Sequence, residues 1–474
     1  MKGFLLAPYR QLYYLQLENY ELSRFLRLVM KSFSAIETRT ALRWTPKIMA
    51  VTLVACGLSA LFVVGAIALL GIALGLLALM VVYGAFFAPL AAAVLILSPL
   101  DALAKRSVAT RASLYLRKFP RITVIAIAGS YGKTTMKHVL AEVLQKKKKV
   151  VVTPDSFNTP LGISRTILHE VSADTDVLIL ELGEHYPGDL AFLTGKFPPD
   201  ITIVTGINEA HLERFKTMEA LTKGIGEAMV GTKSSGLIVL NADSEQLMQN
   251  FATYVKGQEI AFFSSHSNPK STLQVSHHVY HSDGTGQGFA LVEKGIPQAN
   301  ISISLLGGYT PGIASAVFMI GRRLGLTASD VEEGLALVKP VPHRLEPIRT
   351  NPSVLVIDDS YNGNPEGVRH AIETLARFKE RRKVYVTPGL VEGGVRTVGL
   401  HKDIGASLAK VADIVVLIRN SVTPYIEGGL LAKGFKKGHI YWFDTAADAH
   451  AHMKEIVRPG DVVLFQNDWP DNYL

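Results

Sequence analysis

The stretch ITVIAIAGSYGKTTMKHVLAEVL (residues 122–144) links an apolar run to a helix-like segment through a glycine-rich turn. Its first residues have the β-branched, apolar character of a strand buried on both faces of a parallel sheet. A glycine-rich turn between a strand and a helix leaves backbone N–H groups free to surround a phosphate, and the helix dipole favours the negative charge. The stretch therefore predicts an α/β domain with a phosphate-binding loop.

The loop carries the residue types that bind a nucleoside triphosphate and its cation. Lys133, expected in a solvated loop, is placed to reach the β- and γ-phosphates, and the Thr134 hydroxyl is placed to ligate Mg²⁺. The usual spacing GxxxxGK[ST] would put a glycine at position 127, where this chain has Ile127, so the loop is a shorter form. ATP and Mg²⁺ are the predicted cofactors. The predicted nucleotide-binding residues of the loop are Gly129, Ser130, Tyr131, Gly132, Lys133, Thr134 and Thr135.

Short apolar runs alternate with helix-like stretches over the rest of the chain, which predicts parallel strands in α/β domains. The segment 264–300 differs and is interpreted as an irregular or antiparallel insertion. A boundary near Lys339-Pro340 divides a central domain, residues 107–340, from a C-terminal domain, residues 341–474. The apolar runs that predict these further strands lie at residues 149–154, 177–183, 201–207, 237–243, 354–360, 383–389, 412–418 and 461–466.

Residues 48–100 contain no charged side chain. A bilayer core about 30 Å thick is crossed by about 20 helical residues, so this stretch is long enough for two spans. Both flanks are basic, and the positive-inside tendency places both in the cytoplasm, which requires an even number of spans. Residues 1–106 are therefore predicted to hold a hairpin of two transmembrane helices that turns near Gly71 and Gly75. The predicted location is the cell membrane, with the other domains on the cytoplasmic side. The basic flanking residues are Arg39, Arg43, Lys47, Lys105, Arg106 and Arg111.

The basic charge of the chain is concentrated beside this apolar segment. Residues 1–47 and 101–121 each carry a net charge of +5, which leaves −2 of the total +8 for the rest of the chain. The bulk of the protein therefore offers no basic surface for nucleic acid. Residues 1–46 are rich in aromatic and basic side chains. They form either an amphipathic helix in the membrane interface or a helix that packs on the hairpin or on the soluble part, and both interpretations stay open.

Further motifs follow the phosphate loop in the order found in one enzyme family. Together with the short loop they resemble the Mur ligases, the ATP-dependent amide ligases of peptidoglycan synthesis, and the last motif is most similar to the type that adds D-alanyl-D-alanine. The resemblance covers roughly 107–465 and implies a P-loop-containing central domain and a Rossmann-like C-terminal domain. The motifs are Asn158-Thr-Pro-Leu-Gly162, Glu181-Leu-Gly183, Asn208-Glu-Ala-His211-Leu-Glu213, His343-Arg344-Leu-Glu346 and Asp358-Asp-Ser-Tyr-Asn-Gly-Asn-Pro365.

The resemblance implies an enzyme that phosphorylates a carboxylate with ATP and lets an amine attack the acyl phosphate. Phosphoryl transfer needs positioning and charge neutralisation, and the implied catalytic residues are Lys133, His211 and Arg344. Glu181 and His211 follow successive predicted strands at the edge where α/β sheets bind ligands, and with Thr134 they are the candidate metal ligands. The less favoured alternatives are that Glu181 is an ion-pair partner and that His211 is a satisfied loop histidine.

The other implied roles concern the nucleotide and the substrates. Arg344 and Asp359 are implied to contact the phosphates and ribose of the nucleotide from the last domain. Asn158, Asn362 and Asn364 are the candidate substrate-binding residues, and the alternative for Asn362 and Asn364, a turn cap, stays open.

Four segments depart from the family's pattern. The family carries a carbamate-modified lysine at the position of Ile225, so either the second Mg²⁺ is held differently or Lys223 supplies the group from an altered helix. The family's Ala-Asn-His after E-x-G is Glu184-His185-Tyr186 here. The family's adenine-side H-N-x-x-N segment is replaced here by Tyr309-Thr-Pro-Gly-Ile313. Its Lys-Gly-Ser segment after the last strand is replaced by Gln466-Asn-Asp-Trp469.

The favoured function is an active ATP-dependent ligase that adds D-alanyl-D-alanine or a similar amine donor to a peptidoglycan precursor, in cell wall biogenesis and cell shape. The membrane hairpin stands where the family carries a UDP-sugar-binding domain. The carboxylate acceptor is then a small molecule or lipid-linked, or a partner protein supplies the sugar-binding surface. The alternatives are a membrane-anchored poly-γ-glutamate-type polyamide synthase and a nucleotide-binding cell-wall scaffold with weakened catalysis.

Overall fold

The computed structural model describes residues 7–31, 41–154, 157–208, 212–281, 284–351, 354–361, 363–390 and 397–467. The chain divides into two compact units that meet between Val108 and Ala109. The predicted domain limits after residues 106 and 340 stay predictions.

The first unit is helical, and its apolar segment folds back on itself. The helix α3 ends at Gly71, whose φ of 86° is a conformation that favours glycine, so the predicted turn lies there and Gly75 falls inside α4. Lys47 Nζ lies 2.9 Å from Asp101 Oδ2, which joins the start of the first arm to the end of the second. The helices are α1 (Ala7–Leu17), α2 (Leu22–Lys31), α3 (Pro46–Leu70), α4 (Ile72–Gly84) and α5 (Phe87–Leu116).

The second arm of the fold-back differs from the single helix that was predicted. It consists of α4 and the first half of α5, which are separated at Ala85 and Phe86. Pro89 accounts for the break, because proline has no N–H to donate and is tolerated in the first turn of a helix.

The helices α1 and α2 pack on the base of the fold-back. Leu15 and Phe25 are fully buried in one apolar cluster with Ile48, Val51 and Leu90. Among the described residues, the structure therefore favours the packing interpretation of this region over a helix that lies free in the membrane interface. The outer faces of α3 and α4 expose large apolar side chains, such as Leu61 at 73% and Leu69 at 85%.

The central part of the second unit is a six-stranded, all-parallel sheet with helices on its faces. Its strand order is β2-β3-β1-β4-β5-β6, so β3 and β4 flank the strand that precedes the phosphate loop. The strands are β1 (Thr123–Ala128), β2 (Val150–Val152), β3 (Val177–Glu181), β4 (Ile201–Val204), β5 (Leu237–Asn241) and β6 (Glu259–Phe263). The helices are α6 (Lys133–Leu144), α7 (Pro160–Glu170), α8 (Asp189–Lys196), α9 (Leu212–Phe215), α10 (Met218–Val230), α11 (Glu245–Asn250), α12 (Thr310–Arg323) and α13 (Ala328–Leu337), with a 3₁₀ turn at Phe251–Thr253.

The predicted insertion is an antiparallel sheet of three strands in the order β7-β8-β9. These strands are β7 (Gln274–Tyr280), β8 (Gln287–Glu293) and β9 (Ile296–Ile303). Leu291 and Ile301 from this sheet share one buried cluster with Ile125 and Ile203 of the parallel sheet, which makes the insertion part of the central core.

The C-terminal part has a second six-stranded sheet in the order β10-β11-β15-β12-β13-β14, in which only the pair β10–β11 is antiparallel. Its strands are β10 (Glu346–Asn351), β11 (Val354–Asp359), β12 (Lys383–Thr387), β13 (Ile414–Ile418), β14 (Ile440–Phe443) and β15 (Val462–Gln466). Its helices are α14 (Pro365–Ala376), α15 (Thr397–Leu408), α16 (Thr423–Ala432) and α17 (Ala446–Ile456), with a 3₁₀ turn at Lys437–His439. The nine strands predicted from apolar runs are therefore confirmed, as is the α/β class.

Candidate active site

The loop between β1 and α6 has the backbone of a phosphate cradle. Gly132 precedes α6 in the left-handed conformation, with a φ of 73°, which glycine adopts without strain. The pairing of β1 with β4 places Thr205 beside the loop, and its Oγ1 donates to the carbonyl of Tyr131. The Ser130 N–H donates to the carbonyl of Gly206 at 2.9 Å. The loop is therefore held in shape by the end of the neighbouring strand.

Lys133 begins α6 and is more enclosed than the sequence predicts. Only 11% of its side chain is exposed, and its Nζ lies 2.7 Å from Glu184 Oε1 and donates to the carbonyl of Gly129. The expectation of a solvated lysine is therefore wrong, because the substituted segment after β3 covers it. Burial raises the pKa of Glu184, and the ammonium of Lys133 opposes that change.

The candidate metal ligands Thr134 and Glu181 meet at the end of β3. The register of β1 and β3 pairs Ile127 with Glu181, so the carboxylate lies at the level of the phosphate loop. Thr134 Oγ1 donates to Glu181 Oε2 at 3.2 Å, and Lys137 Nζ lies 2.9 Å from the same oxygen. Lys137 is not among the site residues predicted from the sequence, although it lies four residues after Lys133 on the same helix face. The hydroxyl and the carboxylate are the hard oxygen donors that Mg²⁺ requires, so this pair fits the cation.

His211, the third candidate metal ligand and a candidate catalytic residue, lies outside the described residues. Asn158 is beside the end of β3, where its carbonyl accepts the N–H of Gly183 at 3.0 Å. A side chain at Gly183 would collide with the Asn158 side chain, which explains the glycine in this E-x-G motif. Asn158 therefore lies beside the E-x-G motif, and its role in substrate binding stays a prediction.

Arg344 and Asp359 come together from the C-terminal part of the unit. Asp359 ends β11 and its Oδ1 accepts the N–H of Leu345 at 3.1 Å, while the Arg344 guanidinium lies over the Tyr361 ring at 4.8 Å. Burial raises the pKa of Asp359 to about 7, against the opposing charge of Arg344.

Tyr309 connects this pair to the phosphate-loop helix. Its side chain packs against the central cluster that contains Met136 of α6 and against the cluster of the second six-stranded sheet, and its ring lies edge-on to His370 of α14 at 5.3 Å. Burial raises the pKa of Tyr309, with Asp359 adding to the increase. The departure at position 309 therefore places a bridging aromatic side chain between α6 and the C-terminal part.

Asn362 lies outside the described residues, while Asn364 has a clear local role. The Asn364 side chain caps α14 by accepting the N–H of Gly367 at 3.0 Å. Gln466 begins the segment that differs from the family's Lys-Gly-Ser. Its Oε1 accepts hydrogen bonds from the hydroxyls of Tyr385 and Thr387, each at 3.2 Å. These contacts give Gln466 a structural place in the second sheet.

The two residues considered for the modified lysine lie on one regular helix, α10. Ile225 is fully buried with Val204 and Leu240, whereas Lys223 is exposed. Residues two positions apart on a helix point to nearly opposite sides, so the structure contradicts the alternative in which Lys223 takes the place of Ile225.

The fold and the loop define an α/β protein with a P-loop-like turn and, among the described residues, three sheets. The family model described as the Mur ligase middle domain matches residues 127–311, and that of the Mur ligase, glutamate ligase domain matches residues 343–466. The UDP-N-acetylmuramoyl-tripeptide–D-alanyl-D-alanine ligase of Mycobacterium leprae is 30% identical over 390 residues, which are 77% of this chain and 74% of the relative. The ligase of that name from Buchnera aphidicola is also 30% identical, over 61% of this chain and 63% of the relative.

Solved structures agree with this relationship. The crystal structure of MurF ligase from Thermotoga maritima in complex with ADP is 27% identical, with a TM-score of 0.67 over 77% of this chain and 80% of that chain. Crystal structure I of MurF from Acinetobacter baumannii, at 20% identity and a TM-score of 0.66 over 77% of each chain, shows the same fold. The chain belongs to the Mur ligase family.

Proposed function

We propose that this chain is an ATP-dependent ligase that adds D-alanyl-D-alanine to the tripeptide carboxylate of a peptidoglycan precursor. The single observation that carries the proposal is the arrangement of Lys133, Thr134 and Glu181 at the end of β1 and β3, in a chain of the Mur ligase family. The names of its relatives supply the substrates, because the ligases from Mycobacterium leprae and Buchnera aphidicola carry this activity in their names.

The residues of the site have distinct tasks in this reaction. Lys133 and the loop N–H groups bind the phosphates of ATP, and Arg344 with Asp359 approaches the nucleotide from the other sheet. Thr134 and Glu181 would hold Mg²⁺, which supplies neutralisation of the phosphate charge. The chain's own contribution is to align the acceptor carboxylate with the γ-phosphate and then to admit the amine.

The membrane location belongs to the same proposal. Pro46–Leu70, the first arm, and Phe87–Leu116, whose first half completes the second arm begun by α4, are each long and apolar enough to cross a bilayer. In an 18-residue apolar window of each, only 6% and 11% of the residues are buried. A core helix of a soluble protein would be mostly buried, so the exposed apolar faces support insertion in a membrane. The fold-back at Gly71 and the Lys47–Asp101 ion pair support two crossings with both ends on the cytoplasmic side. Presentation of the sugar part of the acceptor by a partner protein stays a prediction.

The test uses the full-length protein in detergent with ATP and Mg²⁺. Phosphate release and product mass are followed with UDP-N-acetylmuramoyl-tripeptide plus D-alanyl-D-alanine, and in parallel with glutamate alone. We expect a product that is heavier by one dipeptide residue. A ladder of glutamate products would instead support the polyamide synthase, and no product with either donor would contradict the proposed ligase.

Lys133→Ala is the matched variant for this test. We expect it to lower turnover by at least about 10²–10³-fold, because a positioned charge at the transferred phosphate is lost. Since the variant removes the ammonium beside the buried Glu184 carboxylate, the double variant Lys133→Ala/Glu184→Gln serves as the control for folding. Full ATP-dependent ligation by either variant would show that the phosphate-loop assignment is wrong.

A further inference from the structure

Glu184 is a buried acidic side chain at the phosphate loop that the proposed reaction does not use. It follows the E-x-G motif, at a position where the sequence departs from the family's pattern. Only 1% of its side chain is exposed, and its Oε1 lies 2.7 Å from Nζ of Lys133. A carboxylate in this place is unexpected, because the loop's task is to attract phosphate, which is itself negatively charged.

The segment that carries Glu184 is held firmly in place. The N–H groups of His185 and Tyr186 donate to Oδ2 of Asp189, the first residue of α8, at 3.1 and 2.8 Å. His185 Nδ1 accepts from Arg214 Nη1 at 2.8 Å. These contacts orient the backbone so that the Glu184 side chain points at Lys133 rather than at solvent.

The charges around the loop are balanced before any nucleotide enters. Lys133 has three N–H donors, of which one serves the Gly129 carbonyl and one serves Glu184. The second buried ammonium, that of Lys137, is paired with Glu181. The phosphates of a nucleotide therefore meet lysines whose charge is already matched by carboxylates.

We propose that Glu184 is a positioning residue that acts as the resident counter-ion of Lys133, and that it competes with the nucleotide phosphates and so weakens the binding of ADP. The inference rests on the proposed function, since it requires the loop to bind a nucleotide. Two effects act in the same direction. The carboxylate repels phosphate groups across a short distance in a poorly screened site. It also satisfies a buried ammonium that a phosphate would otherwise satisfy. The consequence for the enzyme is easier release of the product ADP.

Glu184→Gln removes the charge and keeps the shape of the side chain. The dissociation constant of ADP is measured by titration calorimetry on the full-length protein in detergent, once with EDTA and once with Mg²⁺. We expect the variant to bind ADP about tenfold more tightly under both conditions, which corresponds to about 1.4 kcal/mol. ADP should also become a stronger product inhibitor of the ligase.

Two further variants keep the inference open to refutation. Glu184→Asp retains the charge, so its affinity for ADP should stay near that of the unaltered protein. Glu184→Ala removes the charge and should bind ADP more tightly. The alanine variant serves as the test if the glutamine variant does not fold. Unchanged or weaker ADP binding by the charge-removing variants would overturn the inference. A loss of affinity confined to the Mg²⁺ condition would overturn it too, and would make Glu184 a metal ligand. Absence of ADP binding by the unaltered protein would instead contradict the proposed function.

Discussion

Asp359 is a buried carboxyl of the candidate site whose pKa lies near neutrality. Burial raises its pKa to about 7, compared with about 3.9 in an unfolded chain. Between these values the folded protein binds more protons than the unfolded chain, so the free energy of unfolding falls as the pH rises from about 4 to about 7. Above pH 7 the carboxyl is ionised in both states and its contribution no longer changes.

Asp359→Asn should remove this part of the pH dependence. We expect the unfolding free energy of the variant, minus that of the unaltered protein, to increase by up to about 1.4 kcal/mol per pH unit as the pH rises across that window. Denaturant unfolding of the detergent-solubilised protein at several pH values measures it. Asp444→Asn, at an exposed ion pair with Arg419, is the control and should leave the slope unchanged. Parallel curves for Asp359→Asn and the unaltered protein would contradict the pKa assignment.

At the level of single elements, the N-terminus of α14 distinguishes the two interpretations of Asn364. The side chain accepts the N–H of Gly367, and Pro365 occupies the first helical position, as is typical of a helix start. We expect Asn364→Ala to lower the free energy of unfolding by about 1 kcal/mol, while Asn364→Asp keeps the cap and most of the stability. Thermal unfolding compares the two variants. Equal stability of the alanine and aspartate variants would show that the cap contributes nothing.

The elements also show how far the sequence predicts this molecule. The β strands were predictable because strands buried on both faces need continuous β-branched, apolar runs, as in residues 177–183 and 412–418. The Thr134–Glu181 contact followed from the rule that ligands bind at the carboxyl edge of parallel strands. The Lys133–Glu184 and Lys137–Glu181 ion pairs were not predicted, because the sequence does not show which way the Glu184 side chain points or that Lys137 faces the end of β3. The break before α5 was missed for another reason, since Pro89 lies within an uninterrupted apolar stretch.

On the scale of the whole chain, apolar surface is used differently in the two compact units. In the second unit the large apolar side chains are mainly enclosed, as with Met136, Phe197 and Tyr385. In the first unit, residues such as Leu53, Leu77 and Leu95 remain exposed within the stretch 48–100, which contains no charged side chain. Exposed patches of this extent are rare on soluble monomers and are typical of surfaces that meet a partner or lipid. This contrast is consistent with the proposed lipid environment of α3, α4 and the first half of α5.

Cys56 provides a direct test of that environment, because it is the chain's single cysteine. It is exposed on α3, ten residues after Pro46 and so about 15 Å along the helix, near the middle of the expected span. A thiol in hydrocarbon reacts poorly with maleimides, since the thiolate is the nucleophile.

In inverted membrane vesicles we expect Cys56 to resist a membrane-impermeant maleimide until the membrane is dissolved in denaturing detergent. The variant Cys56→Ser/Ser234→Cys, with its thiol on the exposed surface of the second unit, should react at once. Equal labelling of the two proteins in intact vesicles would show that α3 lies outside the bilayer. Labelling of the Ser234→Cys control only in vesicles of the opposite orientation would show that the second unit is not on the cytoplasmic side.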